Sequence, residues 1–107
     1  MLNNNYKMPW HIRQYVKKEL MDYKKNKKLL ASYKGDTRTI LLASTRLYKI
    51  ESVLDRLNKE DREAAETIFI EQYSQCGAEI AKGISKRAYY NCMNKVIYLV
   101  AVEFDLI

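Results

Sequence analysis

SQCGAEIAKGISKRAYYNCMNKVIYLVA, residues 74–101, is the stretch on which the fold turns. Gly83-Ile84-Ser85 divides it into a short apolar-patterned segment and a long one. Ser74 and Ser85 each stand where a hydroxyl can accept from the unpaired N–H groups of a first helical turn. Glycine adopts left-handed backbone freely and so ends helices. The pattern predicts a short helix over 75–82 and a long last helix from Ser85 to about 104. On a wheel of about 100° per residue, Ala88, Tyr89, Cys92, Val96, Leu99 and Val100 fall on one side of the long helix. Arg87, Tyr90, Asn91, Asn94 and Tyr98 fall on the other, flanked by Lys86 and Lys95, and no carboxylate precedes Glu103 in that helix.

Upstream, Asn58 begins Asn58-Lys59-Glu60-Asp61, a cap followed by acids in the first turn, as the helix dipole favours. The helix it opens carries Ala64, Ala65, Ile68, Phe69 and Tyr73. Before it, Ile40, Ala43, Leu47, Ile50, Leu54 and Leu57 recur at alternating spacings of three and four, a heptad-like seam behind a cap at Asp36 or Thr37. A first helix over about 9–32 starts at Pro9, shows Ile12, Val16, Leu20, Tyr23 and Leu30 on one side, and closes at Lys34-Gly35 with the glycine as a left-handed cap. Its polar middle, Lys24 to Lys28, is where a break is expected. Residues 1–8 read as frayed. The expected fold is all-α, with an N-terminal helical hairpin (about 9–32 and 37–57) ahead of a helix-turn-helix. Residues 1–57 form a helical, oligomerising segment and 58–107 the helix-turn-helix domain. The seam can be covered by the first helix or by a second copy of the chain, and the spacing favours neither.

The polar side of the last helix carries the residue types that duplex recognition uses. Arginine can make two bonds to the guanine edge and asparagine two to the adenine edge, while lysine and tyrosine suit phosphate oxygens. A short helix, a glycine turn and a serine-capped helix is the helix-turn-helix layout, which reads bases near the start of its second helix. The candidate DNA contacts are Ser85, Lys86, Arg87, Tyr90, Asn91, Asn94 and Lys95, with Gln75 at the start of the short helix. The same string, together with LNKEDREAAETIF (residues 57–69), resembles the C-terminal part of the ArpU/RinA-type late-gene transcription regulators of phages and prophages in Gram-positive bacteria. Those proteins resemble the helix-turn-helix region 4 of sigma factors. The resemblance runs from about Leu54 to Leu106. It implies a transcription regulator of phage late genes, double-stranded DNA as partner, and contact with RNA polymerase. The family's pattern has a small residue four positions before the turn glycine. Glu79 stands there instead, between Ala78 and Ala81, which implies a shortened or shifted supporting helix.

The 107 residues carry a formal charge of +6, with 48% hydrophobic and 30% charged residues, a globular balance. The charge is uneven: residues 1–34 hold nine Lys and Arg against two acids, and residues 35–74 hold six against eight. A local basic excess points to a polyanionic partner such as nucleic acid. No apolar run approaches the length of a membrane span, no secretory leader is expected, and Cys76 and Cys92 read as small buried thiols in a reducing compartment. A cytoplasmic, nucleoid-associated protein is the expectation. His11 has no carboxylate near it in sequence, the glycines are scattered, and no metal spacing occurs, so neither an enzyme, a metal nor a cofactor is expected. Two competing readings share these features: a DNA-recognition subunit of a packaging complex resembling a small terminase, and a protein-interaction module with no DNA role.

Overall fold

The last helix is the axis of the molecule. In the computed structural model, which describes residues 6–107, α1 (Trp10–Met21), α2 (Tyr23–Ser32), α3 (Thr37–Arg56), α4 (Lys59–Ala65), α5 (Gln75–Lys82) and α6 (Lys86–Glu103) follow in chain order. The described chain is all-helical, and no strand occurs among those residues. Helices α1, α3, α4 and α5 all pack against α6. Tyr89, Cys92, Met93, Val96, Ile97, Val100 and Ala101 of α6 are buried in one core with Val16 and Leu20 of α1, Ile50, Val53 and Leu54 of α3, and Ala65, Ile68 and Phe69 further on. The N-terminal and C-terminal segments therefore share this core.

The buried stripe of α6 is wider than the sequence pattern suggests, and rotated. Met93 and Ile97 are inside, Leu99 is half-buried, and Ala88 is exposed. Helix α1 is the reason. It covers the flank that a single-sided wheel leaves to solvent, and Arg13 there meets the Met93 sulfur at 3.9 Å.

The first arm of the expected hairpin is not one helix. It breaks at Asp22 (φ −89°, ψ 0°), ahead of the lysine-rich stretch where a break was expected. The Met21 carbonyl beside the break accepts from the Gln72 side-chain amide at 2.6 Å, so a long-range bond holds it in place. The kink lets α1 lie on α6 while α2 lies on α3. The Tyr23 hydroxyl donates to Glu51 at 2.7 Å and Lys27 pairs with the same carboxylate at 3.0 Å, tying α2 to α3. Helix α2 ends at Ser32 with Tyr33 extended, and Gly35 does not take a left-handed conformation. Gly35 instead sits under the Tyr33 ring, where a Cβ would overlap the phenol.

Asp36 caps α3 by accepting from the Thr39 N–H at 2.9 Å, and Asn58 caps α4 by accepting from that of Asp61 at 2.8 Å. Of the α3 seam, Leu47, Ile50 and Leu54 are buried, joined by Val53, while Ile40, Ala43 and Leu57 are half-buried. Helix α4 continues through one π turn, Glu66–Ile70, closed by the Glu71 N–H on the Glu66 carbonyl at 2.8 Å. The wider turn brings three consecutive side chains, Thr67, Ile68 and Phe69, inside, which α-helical spacing alone does not do. Gln72 follows in left-handed backbone (φ 59°), a cost for a residue with a Cβ that its bonds to the Met21 and Phe69 carbonyls help offset. Of the frayed stretch expected at 1–8, residues 1–5 lie outside the described residues, and the Tyr6 ring packs on Tyr98 with centroids 5.3 Å apart. No helix among the described residues is long and apolar enough to cross a membrane.

The Glu51 cluster carries a pH dependence. Its bonds from Tyr23, and next from Lys27, hold the Glu51 carboxyl below its ordinary value of 4.5. A lowered carboxyl contributes stability that is complete above 4.5 and is lost as pH falls through the folded value. Glu51→Gln is therefore expected to lower the denaturant midpoint at neutral pH, with the gap to wild type closing as pH drops below about 4. A gap that stays constant with pH would show that the charge on Glu51 contributes nothing.

Candidate nucleic-acid interface

The short helix, turn and long helix expected from the sequence are formed as the capping residues dictate. Ser74 accepts from the Gly77 N–H at 3.0 Å and opens α5. Gly83 (φ 69°) ends α5, its N–H closing on the Glu79 carbonyl at 3.1 Å, and the Ile84 N–H reaches the Ala78 carbonyl at 3.3 Å. Ser85 accepts from the Ala88 N–H at 3.1 Å and opens α6. Ala78, not Glu79, is the small residue of α5 buried in the core, and Glu79 is exposed. The Tyr89 hydroxyl donates to the Tyr73 carbonyl at 2.9 Å and locks the start of α6 to the segment before α5.

The candidate contacts divide into three groups. Lys86 and Arg87 are exposed in the first turn of α6, and neither meets a carboxylate among the described residues. Tyr90 and Asn94 follow Lys86 at four-residue steps, so they share its flank. Both are half-buried, and Tyr90 rests on the core with its ring edge-on to Tyr89 at 5.2 Å. The second group, Ser85, Asn91 and Lys95, lines a groove toward α4. This open groove of about 790 Å³ runs between α4 and the start of α6, with Ser85, Asn91 and Lys95 on one wall and Glu60, Asp61, Glu63 and Glu66 on the other. Lys95 bridges it to Asp61 at 2.7 Å, and this hydrogen-bonded pair holds the ammonium above its ordinary value. The buried Asn91 Oδ1 has no partner. Gln75 stands alone on α5 and donates to Glu79 at 3.0 Å.

The acidic wall was not visible in the last helix, which has no carboxylate before Glu103, because the acids come from another helix. Asp61 sits in the first turn of α4, where the helix dipole accounts for it, and its second role needs the packing of α4 on α6. The sequence held one usable signal, the run Glu60, Asp61, Glu63 and Glu66 at the start of the candidate domain.

The structure also shows a second basic segment. Gln72 holds the α1–α2 break and the adjoining Tyr73 carbonyl holds Tyr89, so the break before α2 and the start of α6 are both tied to the Gln72–Tyr73 segment. Lys24, Lys25 and Lys28 are exposed on α2, which follows that break. Among the described residues, no three His, Cys, Asp or Glu side chains are grouped to hold a metal ion.

The cysteines differ from one another. Cys92 is buried, and its thiol is pushed up to about 12, first by burial and then by the Asp61 charge. Cys76 is exposed on α5, because its side chain projects from the solvent face of that short helix, and so it is not the buried thiol expected. No family model matches the chain, and neither the curated proteins nor the solved structures contain a match to it.

Two outcomes follow from this geometry. A thiol reagent at neutral pH is expected to label Cys76 readily and Cys92 only on unfolding, giving one fast equivalent in the native protein. Two fast equivalents would place Cys92 outside the core. Gly83→Ala meets no steric neighbour, so its cost is that of left-handed backbone, about 1–2 kcal/mol, seen as a melting temperature lower by several degrees. An unchanged melting temperature would mean that the turn is not held in this conformation.

Proposed function

We propose that the chain is a sequence-specific DNA-binding protein that reads the major groove with the first turns of α6. The observation that carries this reading is the exposed, acid-free pair Lys86 and Arg87 in the turn that Ser85 caps. A helix-turn-helix presents the start of its second helix to base edges, and Arg87 offers the bidentate donor that guanine requires. Asn94 on the same side offers an amide, and the lysines at the start of α2 offer phosphate contacts. The acidic α4 wall repels the duplex from the Asn91–Lys95 side, so the reading surface is the exposed first turn of Lys86 and Arg87 with Tyr90 and Asn94 beside Lys86. The resemblance to late-gene regulators of phages supports transcription control, with RNA polymerase as a protein partner and the cytoplasm, at the nucleoid, as its location. Recognition by so small a module is usually doubled over two half-sites.

Binding to duplex fragments at two salt concentrations, with competitor DNA, tests the reading. Arg87→Ala is expected to cost about 1–3 kcal/mol and to relax preference at one base position. Replacing Lys24 and Lys25 by alanine weakens binding evenly across sequences and lowers the salt slope by about 2. Failure of the unaltered protein to bind at either salt would end the DNA reading and leave the polar flank of α6 as solvated surface.

A further inference from the structure

We infer that the groove between α2 and the first half of α3 is a two-fold interface that takes a second copy of this chain. The groove measures about 270 Å³ and is floored by Leu30, Ala43, Leu47 and Ile50. Two large side chains of its lining stand exposed, Leu29 (55% exposed) on α2 and Tyr33 (45%) just past the end of α2, and Leu42 (57%) on α3 precedes the lining residue Ala43. Ile40, Leu41, Leu42 and Ala43 make an unbroken apolar run, so this part of α3 is apolar on more than one face. A helix apolar all round is normally covered, and a run of this length left exposed marks a contact surface.

The area suits a dimer. Three half-exposed large side chains offer about 100 Å² each, and the groove walls bring the apolar total to on the order of 400 Å². Interfaces are roughly 60% apolar, so this core implies about 700 Å² per partner, within the range of stable specific complexes. The charges are self-complementary as well. Glu19 and Arg46 line the groove, and neither has an ion pair among the described residues. A two-fold axis sets the same patch against itself, which lets Glu19 of one copy meet Arg46 of the other. The α2 lysines 24, 25 and 28 lie outside the groove lining, so pairing leaves them in solvent. The ridge Leu42 of each copy then enters the groove of the other.

Nothing in this surface depends on DNA. The mass in solution is therefore measured without DNA, by sedimentation equilibrium over about 1–100 μM, where a moderately tight dimer forms and dissociates. The unaltered chain is expected to approach twice the chain mass at the upper end. Leu42→Glu and Leu29→Glu are each expected to hold it at the monomer mass, with helical circular dichroism unchanged because both side chains are already more than half exposed. Leu41→Glu is the control. Leu41 is 61% exposed and lies about 160° around α3 from the lining residue Ala43, against about 100° for Leu42, and this variant is expected to dimerise like wild type. A wild-type monomer throughout the range, a ring-sized mass, or a dimer broken equally by Leu41→Glu would each overturn the proposal.

Discussion

Burial of α6 from several directions is the constraint from which the other features follow. Seven of its eighteen residues are inside, and each large one contributes on the order of 1.5–3 kcal/mol by leaving water. To cover so much of one helix the chain supplies four others, and α1 must kink away at Asp22 so that α2 can serve α3 instead. A helix committed to the core this deeply has little of its surface left. Its exposed residues are Val102 near the end and those of the first turn that Ser85 caps, where the chain places Lys86 and Arg87. The same burial that stabilises the fold thus confines any recognition by α6 to its N-terminal end.

The charge around that end is sorted by element. Acids of α4 line one flank of α6, and exposed lysines gather on α2. The Lys95–Asp61 pair is worth at most about 1 kcal/mol at this degree of exposure, but it fixes the direction in which the Lys95 ammonium points. A cation held by its own protein is a poor phosphate ligand, since each new contact would compete with a formed bond. The helix therefore presents one face open to an anion and one closed to it, and the division runs along its length between Lys86 and Lys95.

The caps were legible in the sequence because capping is local chemistry. Asp36, Asn58, Ser74 and Ser85 each accept from an N–H three residues on, and Gly83 takes left-handed backbone. The all-helical fold was legible for the same reason, since scarce breakers and 3.6-residue periodicity are properties of short windows. What escaped was set by partners distant in sequence. The break at Asp22 depends on Gln72, 51 residues away, and the burial of Met93 and Ile97 depends on α1. Gly35 looked like a helix cap, but the Tyr33 ring claims the space beside it. Of the eight candidate contacts, pattern alone could not separate Lys86 and Arg87 from Lys95, because the difference is made by Asp61 on another helix.

The α2–α3 arm has more length than the core can use. Helix α3 has 20 residues, about 30 Å, and every fully buried residue in it lies from Leu47 onward. The first half extends past the buried core with α2 beside it, and of the apolar run there Ile40 and Ala43 are half-buried while Leu41 and Leu42 stay exposed. A helix that only had to support α6 could begin near Leu47. The extra three turns instead help form the groove, whose lining residue Leu29 lies about 9 Å along α2 from its start at Tyr23. In the proposed dimer the spare length of the arm carries the contact surface, and the apolar groove fixes how the two copies sit against each other.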